Sequence, residues 1–466
     1  MIESIIAAAK GFSVSIGKAW KPFALANPVR YLIIKRRVAR WLTTTPPLPH
    51  PSAPPPSRKT QDSKLMNHFR PSTRPGPPDH KPNSRGKPAP SILFHADAND
   101  PDMLYFSRFQ AFDPYLAFTV EGRRVAVIGA SEYGRMTKES AFDEILLLDE
   151  VREETTKRFN LPKGKAPGLH QMVLHLAELH DIPIFRVSPH FPVGLARKLR
   201  EAGMTLEIAD GNGLFPERQI KTAAEIEALR NGNKASEAGF RVVARTLAES
   251  RIRNGELVHG GRVLTSERLR ELICHAAIDA GAVALHTIAA PGDQAVDNHC
   301  VGHGPIRAGE LIVVDIFPRC IEDGYWGDMT RTYLKGKASD AQRRLVRTVK
   351  RAHKLAIDMI KPGVSGGKVH DAVQTFFDKE GYETVRKSKN PKGFFHALGH
   401  GVGLQIHEEP ILRSKAAWKF RKGMVVTVEP GLYYQGLGGC RIEDMVHVIP
   451  GGCELISRAP YKWEIE

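Results

Sequence analysis

The sequence predicts an α+β protein: a smaller α/β domain at residues 91–216, a larger domain of long helices and antiparallel hairpins at 217–466, and a disordered tail at 1–90. Three observations carry that expectation. The chain has 466 residues, and at roughly 100–200 residues per domain this calls for two or three domains with ample core. Hydrophobic residues make up 42% and charged residues 25%, the mix of a soluble globular chain rather than a membrane-embedded or wholly disordered one. The apolar pattern also changes along the chain, from short alternating runs between 91 and 208 to helix-length periodic stretches after 222.

The tail is read from its charge and its prolines. Net charge is +16, of which residues 1–90 supply +13 through 16 Lys or Arg against three acids, Glu3, Asp62 and Asp79. The remaining body is nearly neutral, so it offers no electrostatic footprint for phosphate backbones and no nucleic-acid partner is expected. Residues 1–44 mix apolar residues with a basic cluster, Lys35, Arg36, Arg37 and Arg40, while 45–90 hold 14 prolines. Such a stretch cannot build a core and is expected to be extended and solvated. The basic bias is similar to that of an organellar transit peptide, but a signal-peptide layout is missing and a non-catalytic tail is the favoured reading. Apolar runs such as 311–314 and 424–426 fall far short of the 18 or more residues a spanning helix needs, so no transmembrane segment is expected. Five cysteines, Cys274, Cys300, Cys320, Cys440 and Cys453, are an odd number without CxxC spacing. They argue against a disulfide framework or zinc knuckle and for a reducing, cytoplasmic setting.

In the first domain, Asp100, Pro101 and Asp102 lead into an aromatic stretch, Tyr105, Phe106, Phe109, Phe112, Tyr115 and Phe118. Few basic residues interleave with it, so core packing is expected rather than base stacking. Residues 124–128 read as a buried strand ending at Gly129. The glycines at 129 and 134 do not complete GxGxxG, which removes the dinucleotide-loop reading. Apolar segments at 144–148, 168–179, 182–187 and 193–202 then alternate in the α/β manner.

A boundary is expected near 211–216. Beyond it, Thr222 and Glu225 have the spacing of a capping box. Ile226, Leu229, Phe240, Val243 and Leu247 supply the apolar face of a long helical region, with a break expected near Gly232. Further helices are expected at 266–280, 341–360 and 369–380, and the two helix pairs resemble each other weakly enough to leave an internal duplication open. Two motifs in this half are decoys. Residues 363–367 match GxSxG, but a nucleophile elbow needs a preceding strand, whereas a helical pattern and Lys361-Pro362 come before this one. Gly367-Lys368 lacks the first glycine and the following Ser/Thr of a phosphate loop.

The chemistry is concentrated between His299 and Glu443. A buried strand at 311–314 delivers Asp315 to its end, and an acid buried there needs a partner. After a turn at 322–324, Asp328, Thr330 and Thr332 share one strand face. His396, His400 and His407 fall within twelve positions among glycines and apolar residues, which shifts the odds from satisfied core histidines toward ligation. Glu429 ends the apolar run 424–428, and Arg441 and Glu443 share a face of the next segment. The set Asp315, Asp328, His400, Glu429 and Glu443 balances two divalent cations in formal charge, where one ion would leave excess negative charge buried. Oxygen-rich coordination favours Mn(II), with Co(II) or Zn(II) tolerated through the histidine.

The order Asp, Asp, His, Glu, Glu, with GDMTRT (327–332), HALGHGVGLQIHE (396–408), VEPGLY (428–433) and RIED (441–444), resembles the pita-bread metallopeptidases, which include aminopeptidase P, prolidase, methionine aminopeptidase and their creatinase relatives. The resemblance covers 217–466 strongly and 91–216 more weakly, as a creatinase-like amino-terminal domain. That extra domain points toward the Xaa-Pro enzymes. It implies that Asp315 chelates one ion, that Asp328 and Glu443 bridge, and that His400 and Glu429 hold the other. It also implies that His407 assists the tetrahedral intermediate and that His299 or His303 is the upstream histidine on the substrate side, with His299 chosen from its context after Asn298. Arg441 has two candidate roles, receiving a substrate carboxylate or orienting Glu443. The hairpin between Asp315 and Asp328 is two residues longer than the usual pattern. The expectation that follows is a metal-dependent exopeptidase acting on Xaa-Pro peptides, commonly a homodimer, against a catalytically silent scaffold that binds peptide or protein and a metal-free creatinase-like hydrolase.

Overall fold

Alternation with a period of two builds the first sheet in the computed structural model, which describes residues 90–211 and 213–466; the tail expected at 1–90 lies, apart from Pro90, outside them. Strands β1 (Ser91–Ala96), β2 (Tyr115–Val120), β3 (Arg123–Ile128), β4 (Glu144–Leu147), β5 (Ile184–Val187) and β6 (Thr205–Ile208) form one mixed sheet in the order β4-β3-β2-β1-β5-β6. Helices α1 (Pro101–Ser107), α2 (Ala130–Glu139), α3 (Leu148–Arg158), α4 (Leu169–Leu179) and α5 (Val193–Glu201) punctuate it. Leu93, Leu116, Phe118, Val125 and Val127 point to one face and pack on Val151, Met172, Leu176 and Leu195 from α3, α4 and α5. Phe94, Ala117, Ala126 and Ile128 point to the other, whose cluster also takes Leu229, Val402, Val425 and Met445 from far along the chain. One sheet face thus closes its own core and the other attaches this region to the rest.

One local expectation is corrected here, and two local features are added to the sequence reading. Phe112 is 82% exposed and lies under the Arg135 guanidinium at 5.8 Å, while the other five aromatics of its stretch are buried. Residues 129–134 open α2, with Gly129 at its N-cap. The segment at 144–148 is a strand that passes directly into α3, a helix so polar (LDEVREETTKR) that only Val151 and Thr155 are buried and no apolar period announces it.

Helix α6 (Ala223–Glu249) starts at the capping box, with Thr222 Oγ1 accepting from Glu225 N at 3.3 Å and Glu225 Oε2 accepting from Thr222 N at 2.9 Å. It runs unbroken for 27 residues, so the break expected at Gly232 does not occur. Glycine is there for contact: a Cβ on Gly232 would stand 2.4 Å from the backbone nitrogen of Gly327. A small sheet, β7 (Arg251–Arg253), β8 (Glu256–His259) and β9 (Arg262–Val263), precedes α7 (Ser266–Asp279) and the short β10 (Ala282–Val283).

Then come β11 (Ile288–Pro291), β12 (Ile312–Ile316), β13 (Arg319–Cys320) and β14 (Met329–Lys335), followed by helices α8 (Asp340–Met359) and α9 (Gly366–Lys379). Ser365 of the GxSxG decoy caps α9, its Oγ accepting from Lys368 N at 3.2 Å. The remaining strands are β15 (Gly399–Gly401), β16 (Glu408–Leu412), β17 (Val425–Val428), β18 (Gly431–Tyr434), β19 (Gly438–Arg441), β20 (Asp444–Ile449), β21 (Gly452–Leu455) and β22 (Glu464–Ile465). Of these, β22 completes the sheet β11-β12-β14-β22, five others form β16-β15-β17-β20-β21, and β18 pairs with β19. The first buries Ile312, Val314 and Ile316 against Phe240, Val243 and Ile273 of α6 and α7. The second buries Val426, Val428, Val446 and Val448 against Leu345, Val349, Val369 and Val373 of α8 and α9. Each apolar strand therefore has a helix pair behind it, and its other face is left for the site.

Candidate active site

Asp315 sits inside β12, opposite Thr330 of β14 in the antiparallel register, and Asp328 immediately precedes β14. A strand this apolar can carry an acid only if something compensates it. Arg441, at the end of β19, does so on one side, its Nη2 donating to Asp315 Oδ2 at 2.7 Å. The other oxygen, Oδ1, is buried and has no hydrogen-bond partner.

His400 comes from β15, between two glycines whose backbones are so close to their neighbours that a Cβ would lie 2.0 Å from Thr427 O at Gly399 and 2.5 Å from Glu409 O at Gly401. Its Nδ1 lies 3.0 Å from Gly401 O. A carbonyl can only accept, so the proton belongs on Nδ1 and the Nε2 lone pair is left facing the acids. That Nε2 is 3.6 Å from Asp328 Oδ2 and 3.5 Å from Glu429 Oε1. Glu429 follows β17, and Glu443 occupies the link between β19 and β20. Thr330 Oγ1 donates to Glu443 Oε2 at 2.8 Å, and Arg331 grips the same residue from behind, donating to Glu443 O at 2.6 Å and to Asp444 Oδ1 at 2.8 Å. One ligand atom each from Asp328, His400 and Glu443 can be chosen within 4.8 Å of one another.

All five expected ligands line one cavity of about 270 Å³, together with His299, His407 and Arg441. His303 does not line it; its backbone pairs with the Gln294 side chain instead. Ile288, Phe317, Ile406 and Ile411 add an apolar wall. Burial, reinforced by Asp315 and Glu429, pushes Asp328 well above the usual carboxylate range, and burial with Asp328 nearby does the same to Glu443. Burial pushes Glu429 up to about 8. His400 is pushed down to about 3 by burial and by the neighbouring His407, so its contacts with the acids are not ion pairs at neutral pH. Among the lining residues Arg441 is the one permanent cation against four carboxylates. The orphaned Asp315 oxygen, the crowded acids and the neutral imidazole with its lone pair inward fit divalent cations, which relieve all three conditions together.

Arg441 is further committed than its sequence position suggests. Besides Asp315, it donates from Nε to Thr330 Oγ1 at 3.2 Å and from Nη1 to Tyr433 OH at 2.8 Å and Asn298 O at 3.4 Å. It is buried, contacts Asp315 directly and reaches Glu443 only through Thr330. Sequence reasoning grouped His396 with the ligating histidines but gave it no place in the ligand set, and gave Tyr433, which bonds Arg441, no role, although both lie in the quoted motifs. His396 Nε2 is 3.0 Å from Tyr433 OH, and burial with Arg441 nearby pushes its pKa down to about 3. The hairpin tip between Asp315 and Asp328 holds β13, which pairs with β10, and contacts the first region, Arg319 Nη2 to Ala98 O at 3.0 Å and Gln110 Nε2 to Ile321 O at 2.8 Å.

The sequence model of metallopeptidase family M24 matches residues 227–450. The Xaa-Pro dipeptidase of Pyrococcus horikoshii is 27% identical over 332 residues, 71% of this chain and 87% of the relative. The Xaa-Pro dipeptidase of Pyrococcus furiosus is 34% identical over 176 residues, 38% of this chain, and the matched stretch spans about half the relative's length, 48%. By fold, the chain superposes on the X-Pro aminopeptidase of Thermotoga maritima with a TM-score of 0.67 at 22% identity, covering 81% of this chain and 97% of that one.

Proposed function

The chain belongs to metallopeptidase family M24 through residues 227–450, and from that premise we propose that it is a dinuclear-metal exopeptidase hydrolysing Xaa-Pro bonds at peptide N-termini or in dipeptides. The observation that carries the proposal is the convergence of Asp315, Asp328, His400, Glu429 and Glu443 on one cavity. A scaffold that only binds peptide has no need of four acids crowded into one cavity, three of them buried and one half-buried. In this reading residues 91–216 form a creatinase-like amino-terminal domain and 217–466 the catalytic domain. Asp315 would hold one ion, His400 and Glu429 would hold the other, and Asp328 and Glu443 would serve both. Mn(II) suits the oxygen-rich set best. A homodimer belongs to the same reading, as does a reducing cytoplasm, supported by five cysteines that are all free.

Bound divalent ions supply Lewis-acid chemistry, lowering the pKa of a water and polarising the scissile carbonyl. The chain supplies the rest. Arg441 holds Asp315 through its Oδ2, and Thr330 fixes one oxygen of Glu443. His407 stands at the cavity mouth, where desolvation and the proximity of His299 hold its pKa below the ordinary value, so it is neutral at pH 7 and can donate one hydrogen bond to charge developing on the carbonyl oxygen. The wall of Ile288, Phe317, Ile406 and Ile411 offers an apolar seat for a pyrrolidine ring, which has no amide hydrogen to be read by backbone contacts. The names of the Pyrococcus relatives, both Xaa-Pro dipeptidases, support the same bond.

The test compares Mn(II)-loaded protein on an Xaa-Pro dipeptide, an Xaa-Pro-Yaa tripeptide and the tripeptide with alanine in place of proline. Cleavage of either proline peptide over the alanine one is expected. Preference for alanine overturns the proline assignment, and inactivity on all three with several metals favours the silent scaffold.

A further inference from the structure

His407 is exposed, and among the described residues no hydrogen bond holds its ring. The ring rests edge-on against His400 with centroids 4.4 Å apart, so its placement over the cavity depends on its backbone. The adjacent residue is the opposite case. Glu408 is buried, and its carboxylate accepts from Gln405 N at 3.1 Å, from Lys221 Nζ at 3.2 Å and from Arg218 Nη2. Arg218 Nη1 in turn donates to Asp102 Oδ1 at 2.7 Å, and Asp102 Oδ2 accepts from Leu214 N at 2.6 Å. Asp102 belongs to α1, in the region 91–216. A line of buried charges therefore runs from the first sheet's helix to the residue bonded to His407.

We propose that Asp102, Arg218 and Glu408 are positioning residues for His407, through which the amino-terminal region fixes where that imidazole stands. The proposal rests on the reading in which His407 assists hydrolysis. A plain stability role explains the chain of charges poorly, because buried ion pairs stabilise little against well-packed apolar replacements. What they do supply is a defined arrangement. The loop is shaped around this one: a Cβ at Gly403 would lie 2.7 Å from both carboxylate oxygens of Glu408. An imidazole without side-chain bonds of its own moves with whatever anchors its neighbour, and a displacement of about 1 Å in a catalytic group can cost about 100-fold in rate.

The test uses full-length, metal-loaded protein carrying Asp102→Asn or Arg218→Lys. Steady-state kinetics are read on an Xaa-Pro-Yaa tripeptide, with metal content and the ring resonances of His407, assigned by their loss in His407→Gln. The expected result is a fall in kcat of about 10- to 100-fold, with KM within about twofold of wild type, metal content unchanged and the His407 resonances shifted. In a His407→Ala background the same substitutions should cause no further loss, since both act through one group. Unchanged kcat in the folded variants overturns the proposal, as does an equal fold-loss with and without His407. Where Arg218→Lys does not fold, the isosteric Asp102→Asn decides. If the wild type cleaves none of the peptides, the peptidase reading fails separately and the resonances decide alone: shifted supports the clamp, unshifted overturns it.

Discussion

Glu443 carries the account at the scale of single residues, because it is buried among other acids and takes a hydroxyl, Thr330, on one oxygen. Replacing Glu443 or Asp328 by alanine should abolish hydrolysis with little recovery in excess metal, since each would hold both ions; near-normal turnover would count against the shared site. Thr330→Val should be milder, weakening metal binding about 10- to 100-fold, as loss of a ligand's supporting hydrogen bond does, and a metal titration reads it directly. Protons give a third check. Glu429 has a folded-state pKa of about 8 against an ordinary 4.5, so the metal-free folded protein holds a proton that the unfolded chain has already released. Stability of the metal-free protein must therefore fall as pH rises toward about 8. Below about 6.5 the buried His396 and His400, both with depressed pKa values, act in the opposite direction, so the clean window is pH 7–8. Melting temperatures there should drop in metal-free wild type and drop less in Glu429→Gln; a rise with pH would contradict the assignment. The five residues proposed as ligands stood out in the sequence because Asp315 and Glu429 end apolar runs, Asp328 and Glu443 alternate with strand neighbours, and His400 lies among glycines and apolar residues. The partners of Arg441 were not, since Asp315 and Tyr433 reach it only after separate strands have been brought together.

At the scale of elements, glycine shows what a linear pattern can and cannot convey. Gly232 reads as a helix break, yet α6 continues through it because its backbone packs on the Trp326–Gly327 segment that delivers Asp328. Gly232→Ala should therefore destabilise the protein by about 1–3 kcal/mol despite alanine's better helix propensity, since overpacking outweighs the gain. Gly134→Ala in α2, where a Cβ would meet nothing within 4 Å, should instead stabilise by about 0.5–1 kcal/mol. Chemical denaturation of the pair decides; equal effects would refute the contact reading. The same limit explains α3, whose charged sequence hides its period, while α7, α8 and α9 were legible from theirs. Hairpins were recognisable from strand periodicity, but the order of strands within the two later sheets depends on contacts between distant segments and leaves no local trace.

For the whole molecule, charge and core are separable. Residues 1–90 supply +13 of the +16 net charge and hold the proline-rich stretch. Deleting residues 1–90 should leave melting temperature and turnover within error of the full chain, and a large loss in either would show that the tail contributes to the folded body. Region 91–216 is different, because its second sheet face shares a core with Leu229, Val402 and Met445 and its Asp102 reaches Glu408 through Arg218. Composition and motif order suggest two regions; their shared core beside the cavity leaves no local trace, because it rests on single buried residues with no pattern around them. No helix among the described residues is long and apolar enough to cross a membrane. The claim on which the rest depends is that four carboxylates and one histidine hold two divalent ions in one cavity. An anomalous difference map from crystals grown with Mn(II) tests it most directly. Two peaks enclosed by Asp315, Asp328, His400, Glu429 and Glu443 are predicted, whereas a single peak, or none in the presence of saturating metal, would contradict the account.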